Sequence, residues 1–179
     1  MRKALYILGQ LNDADVQWLA RHGTRRALRD RDIIIRAGQP VDALFITIDG
    51  TLVVTLSDGQ EVARLGSGEI VGEIAFVDSA LPSATVTARG RASVLEVKKA
   101  LLQGRLQADV GFAARFYRAL AIFLADRLRA TTRRLGYGAE TDLASDQVLR
   151  DELDEAILEK VSEAGERFDR LLRMLAADE

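Results

Sequence analysis

Residues 65–88 read LGSGEIVGEIAFVDSALPSATVTA. Two glycine-rich turns lead into Gly72-Glu73, a short apolar segment follows, and the stretch closes on Pro82-Ser83-Ala84-Thr85. Glycine at position 72 lets the backbone approach another group closely. Glu73 is a lone carboxylate between the apolar Ile70-Val71 and Ile74-Ala75, while Pro82-Ser83-Ala84 offers small residues and no charge.

Outward from this stretch, the apolar residues recur with period two from Thr24 to Val97. Short runs stand between turn residues: Asp32–Arg36, Ala43–Asp49, Leu52–Leu56, Glu61–Leu65, Thr85–Ala88 and Ala92–Val97. Leu44, Ile46 and Ile48 alternate with Phe45, Thr47 and Asp49, and the Val, Ile and Thr content suits a pleated surface. Asp49-Gly50 and Asp58-Gly59 read as hairpin turns. Many short strands at this spacing predict a sandwich, jelly roll or barrel.

Beyond the strands the period is helical. Leu11, Val16, Leu19 and Ala20 predict a first helix, with Asn12 or Asp13 as its cap, Trp18 as a packing anchor and Gly23 as its stop. His22 is expected at the surface, at the helix end. Phe112, Phe116, Leu120, Phe123, Leu124 and Leu128 form an apolar stripe on a long helix, Asp109–Leu135, with Arg115, Arg118, Arg127 and Arg129 around it and Gly136 and Gly138 at its end. Residues 139–145 read as a linker. A last helix is expected over Asp146–Ala176, with Leu149, Leu153, Ile157, Val161, Phe168, Leu171, Leu172 and Leu175 inward. Gly165 within it costs about 1 kcal/mol against alanine and can mark a bend.

Composition narrows the chemistry. The 179 residues are 48% apolar, which excludes disorder as the main state and allows about 70% of the unfolded surface to be buried. With no cysteine and one histidine, thiolate zinc sites, cysteine nucleophiles and multi-histidine metal sites are excluded. The motif residues Gly72–Ala75 and Pro82–Thr85 offer a single carboxylate, Glu73, whereas acid–base catalysis needs a second group of tuned pKa, so an enzyme is not expected. The net charge of −2 is the difference between a body, residues 1–138, at +6 and a tail, residues 139–179, at −8. A tail so acidic does not grip nucleic acid. The N-terminal stretch MRKALYILGQLNDADVQ turns polar too soon for a signal peptide, and no apolar run reaches the roughly 20 residues that span a bilayer, so a cytoplasmic protein is expected.

The cassette resembles the phosphate-binding cassette of the cyclic nucleotide-binding domain family, which includes catabolite-activator-type regulators, kinase regulatory subunits and nucleotide-gated channels. The family's pattern is G-E-[LI]-A, a few residues, then P-R-[SA]-A-T-V. Gly38, Phe45 in LFITIDG, Gly50 and Gly68 also match its spacing, and the likeness covers about residues 10–135. The resemblance implies an α+β fold: a double-stranded β-helix, or jelly roll, with an N-terminal helix and two long C-terminal helices. It implies a domain over residues 1–135 that includes a lid or dimerisation helix, with 139–179 as an acidic helical extension. It also implies a ligand site at Gly72, Glu73, Ile74, Ala75, Pro82, Ser83, Ala84 and Thr85. Glu73 would accept from a ribose 2′-hydroxyl. The amides of a short helix at Gly72, with that of Ala84, would face the phosphate. The implied ligand is cyclic AMP, cyclic GMP or a related small phosphate, with no resident cofactor.

One position departs from the pattern. Where the family has its phosphate-binding arginine, this chain has Pro82, or Ser83 if the alignment slides by one. Removing one partner of a desolvated charge pair costs roughly 2–5 kcal/mol, or about 30-fold to several-thousand-fold in affinity. Three outcomes stay open on the sequence. Arg64, Arg89 or Arg91 substitutes; the ligand differs; or the pocket is empty and the fold serves assembly.

About 40 residues follow the long helix and read as one acidic helix without a basic recognition segment. The expected function is therefore a non-enzymatic ligand sensor signalling through its C-terminal helices to an unidentified protein effector, without DNA or membrane. The alternative is a degenerate-pocket interaction module. The aromatic surplus at Phe112, Phe116, Tyr117 and Phe123 predicts a homodimer, and the acidic last helix is expected to pack on the arginine-rich long helix of the same or the partner chain.

Overall fold

The computed structural model describes residues 5–78, 80–134 and 155–177. Two short helices come first, α1 Leu5–Gln10 and α2 Asp13–His22. Asn12 is the cap of α2: its side chain accepts from the Asp15 amide at 2.9 Å while Asp15 accepts from the Asn12 amide at 3.0 Å. This reciprocal box satisfies two otherwise orphaned donors. His22 ends the helix, stacked on Trp18 with ring centroids 4.5 Å apart.

Six strands follow: β1 Thr24–Leu28, β2 Ile33–Ile35, β3 Ala43–Thr55, β4 Glu61–Leu65, β5 Ile70–Val71 and β6 Thr85–Lys98. Every pairing is antiparallel. The long strands β3 and β6 form the spine; β1 and β2 add to β6, and β4 and β5 add to β3. With helices before and after, this is the expected jelly-roll architecture.

The reading of Asp49-Gly50 as a hairpin is corrected. Ala43–Asp49 and Leu52–Leu56 belong to one strand, β3, and Thr85–Ala88 and Ala92–Val97 to one strand, β6. The register slips on either side of Asp49, so Gly50 sits in a β-bulge with φ of 85°. A Cβ there would meet the Arg91 carbonyl oxygen at 2.5 Å. A bulge and a hairpin ask the same thing of glycine, which is why the dipeptide signals both. The bulge also reverses the faces of β3. Before it, Leu44, Ile46 and Ile48 face the helices while Phe45 faces the interior of the roll; after it, the even-numbered Leu52 and Val54 face the interior. One inserted residue exchanges the two faces of a strand. The second dipeptide, Asp58-Gly59, does turn β3 into β4.

Among the described residues three helices follow the strands: α3 Lys99–Ala108, α4 Val110–Arg134 and α5 Glu155–Ala177. Sequence periodicity does not anticipate α3, which buries only Leu102 and Leu106. Asp109 caps α4, accepting from the Phe112 amide at 2.9 Å. Gly136, Gly138, the linker at 139–145 and the first part of the predicted last helix lie outside the described residues.

Two cores result. One fills the roll; the other lies between the sheet and the helices and takes in Leu8, Leu11, Phe112, Phe116, Phe123, Phe168 and Leu171. Phe112, Phe116 and Phe123 are thus buried within the chain itself, and only Tyr117 of the four aromatics is substantially exposed, at 46%. Within one chain the last helix, over its described residues, makes its main contacts elsewhere than on the arginine-rich helix. α5 packs chiefly on α1 and α2, and its Arg167 and Arg170 both pair with Asp13 of α2. Among the described residues no helix is long and apolar enough to cross a membrane.

Candidate functional site

The turn from β5 into the cassette requires glycine. Gly72 has φ of 87°, and a Cβ on it would lie 2.5 Å from the Ala43 carbonyl oxygen. This left-handed residue starts a 3-10 turn, Glu73–Phe76. Downstream, the Gly38 amide donates to the Pro82 carbonyl at 2.8 Å and the Ala37 amide donates to Thr85 Oγ1 at 3.2 Å. These two bonds hold the Pro82–Thr85 segment beside the loop after β2.

The two halves of the cassette enclose a cavity of about 390 Å3. Gly72, Glu73, Ile74, Ala75, Pro82, Ser83 and Ala84 line it, with Ile35, Val41, Val54, Val71 and Val86 supplying apolar walls. Thr85, the eighth predicted position, is engaged with Ala37 and does not line the cavity. The wall is mainly hydrocarbon, and a volume of this size accommodates a small organic ligand.

Glu73 is 1% exposed. Its partner is Arg127 of α4, whose Nη1 donates to Glu73 Oε1 and whose guanidinium lies 5.5 Å from the Phe123 ring centroid. Burial pushes the Glu73 carboxyl above the usual carboxylate range, and Arg127 offsets part of that rise. A second contact joins cassette and helix nearby: Phe76 meets Phe116 edge-on, with centroids 5.9 Å apart. An ion pair and an aromatic pair therefore tie the cassette to α4.

Arg127 also lines the cavity, and sequence reasoning misses it. The arginines nearest in sequence do not take that place. Arg64 and Arg89 both pair with Glu61 on the surface, and Arg91 is exposed. A signal for Arg127 exists in the periodicity. Phe112, Phe116, Leu120 and Phe123 step by three or four along α4, and Arg127 is the next step. A cation that continues an apolar stripe is aimed at what the stripe packs on.

Comparison with known proteins agrees with this fold. The family model for the cyclic nucleotide-binding domain matches residues 25–109 of this chain. A cyclic nucleotide-binding domain from Methylobacillus flagellatus superposes with a TM-score of 0.67 at 20% identity, over 79% of this chain and 85% of that one. The c-di-GMP-responsive global regulator CLP of Xanthomonas campestris superposes with a TM-score of 0.62 at 24% identity, over 93% of each chain. Among curated proteins, an uncharacterised NTE family protein of Mycobacterium bovis is 27% identical over 128 residues, 72% of this chain. This chain spans only 22% of that relative's length.

Proposed function

We propose that this protein is a non-enzymatic sensor that binds a cyclic nucleotide or related small phosphate ligand and signals through its C-terminal helices. The observation that carries this reading is the convergence of Gly72–Ala75 and Pro82–Ala84 on one cavity whose wall includes Arg127 of α4. A ligand in that cavity touches the cassette and a long helix at once, which is what a sensor needs in order to report occupancy. The cavity brings together one carboxylate and one guanidinium, already paired, and this favours binding over catalysis. The chain would be cytoplasmic. A homodimer through α4 would draw on exposed Tyr117 and Leu128, and light scattering reads it out.

Calorimetric titration of the full chain with cyclic AMP, cyclic GMP and c-di-GMP tests the reading; no heat and no melting shift at millimolar ligand overturns it. A second reading, an interaction module with a degenerate pocket, is favoured by the uncharged Pro82 and Ser83. Pro82→Arg separates the two: a competent pocket gains affinity for a cyclic mononucleotide, and a degenerate one does not.

A further inference from the structure

The cassette has no cation at positions 82 and 83, and the charged side chains among the described residues of the cavity wall are Glu73 and Arg127, bonded to each other. The wall is thus neutral as it stands. An anion entering it meets one guanidinium already committed to a carboxylate. Two negative charges on one cation within an apolar wall is an unfavourable arrangement, because neither can be fully solvated. We propose that Arg127 is the anion-binding residue of this cavity and changes partner: the ligand's anionic group takes the guanidinium from Glu73, and the Glu73 carboxylate takes up one proton from water. This rests on the sensor reading given above and adds the regulation of that same site.

The surroundings of Glu73 favour protonation once Arg127 leaves. The carboxyl is almost wholly buried, and the strands around the cavity contribute Ile35, Val54, Val71 and Val86, none of which titrates. The carboxyl accepts from its own backbone amide, and Ser83, which lines the same cavity, is neutral. Two other charged side chains beside the cassette have their own contacts. Lys99 of α3 stands over the Phe76 ring, 5.8 Å from its centroid, and Asp78 accepts from the Ala80 amide at 3.0 Å. Burial already holds the carboxyl above its ordinary range with Arg127 in place. The ligand class follows: an apolar or aromatic body carrying one anionic group, a description a cyclic mononucleotide meets. The exchange also has a mechanical result. It transfers α4 from the cassette carboxylate to the ligand.

The test is calorimetry of the full chain with cyclic AMP at pH 7 in two cationic-amine buffers of different ionisation heat, repeated from pH 6 to 8. Uptake of about one proton per ligand is expected, with affinity rising by up to about tenfold for each pH unit lowered. Glu73→Gln, which copies the protonated state, should bind more tightly and without pH dependence. Arg127→Gln should lose about 30-fold or more, with Arg127→Lys between it and the native protein. Circular dichroism melts establish that the variants are folded. Binding without proton uptake, or an Arg127→Gln affinity within threefold of native, overturns the exchange while leaving the sensor reading intact. Binding by Glu73→Gln where the native protein binds nothing supports the exchange. If neither takes up cyclic AMP, cyclic GMP or c-di-GMP at millimolar concentration, the sensor reading fails and the exchange fails with it.

Discussion

Arg115 of α4 donates from Nε and Nη2 to the two carboxylate oxygens of Asp15 in α2, at 2.6 and 2.9 Å, across 100 residues of chain. Asp15 is fully buried and also accepts from the Asn12 amide. This fork fastens the long helix to the helix that precedes the roll. Arg115→Met should cost roughly 2–3 kcal/mol, because it leaves a buried carboxylate without its cation. Urea denaturation of the variant beside Asp15→Asn and the double variant measures it, and the double variant should be less destabilised than the two single effects added together.

Gly72 and Gly165 should respond to alanine in opposite directions. At position 72 the left-handed backbone alone costs roughly 1–3 kcal/mol, and the Ala43 carbonyl stands 2.5 Å from the new Cβ. Gly165 lies inside α5 with open space around it, so Gly165→Ala should stabilise by about 0.5–1 kcal/mol. Thermal melts of the two variants against the native protein check both signs.

The hydroxyl of Thr47 is buried in β3 with no hydrogen-bond partner among the described residues. Thr47→Val keeps the shape and β-branching while removing the unsatisfied group, and should raise stability by about 1 kcal/mol. A rise in the urea midpoint at unchanged slope is the expected result.

Glu73 and Asp109 should give stability opposite pH dependences. Glu73 is raised by burial, so the unfolded chain releases its proton first as pH climbs; its contribution is full below about pH 4.5 and is lost as pH rises through the folded value. Asp109 is lowered by the Phe112 amide, so its contribution is present above the unfolded value near 3.8 and is lost as pH falls through the folded one. The melting temperature of Glu73→Gln minus that of the native protein should therefore grow from pH 4 to pH 8. For Asp109→Asn the deficit should shrink towards pH 3.

Most strand positions were legible because period-two alternation survives burial; Glu61–Leu65 is assigned to the residue. The Gly50 bulge was not, since a positive φ is all that the dipeptide announces and only pairing across the sheet tells a bulge from a turn. α3 escaped because two buried leucines make too narrow a stripe to register. In the site, Gly72–Ala75 and Pro82–Ala84 were singled out by the resemblance of their motif, and the structure puts them around one cavity. The helical step marks Arg127 as facing inward, but its pairing with Glu73 spans 54 residues, and no local pattern names that partner.

The docking of α1 on α5 and α4 has a consequence for how the polypeptide is made. Leu8 and Leu11 are buried in the finished molecule, yet α5, which packs on α1, begins at Glu155. On a ribosome, synthesis runs at about 5–20 residues per second, so these leucines wait several seconds for α5. During that interval the roll can close, since β1 to β6 need nothing beyond Lys98. The helical layer is the last part to be completed, and the nascent chain carries an uncovered apolar surface until then.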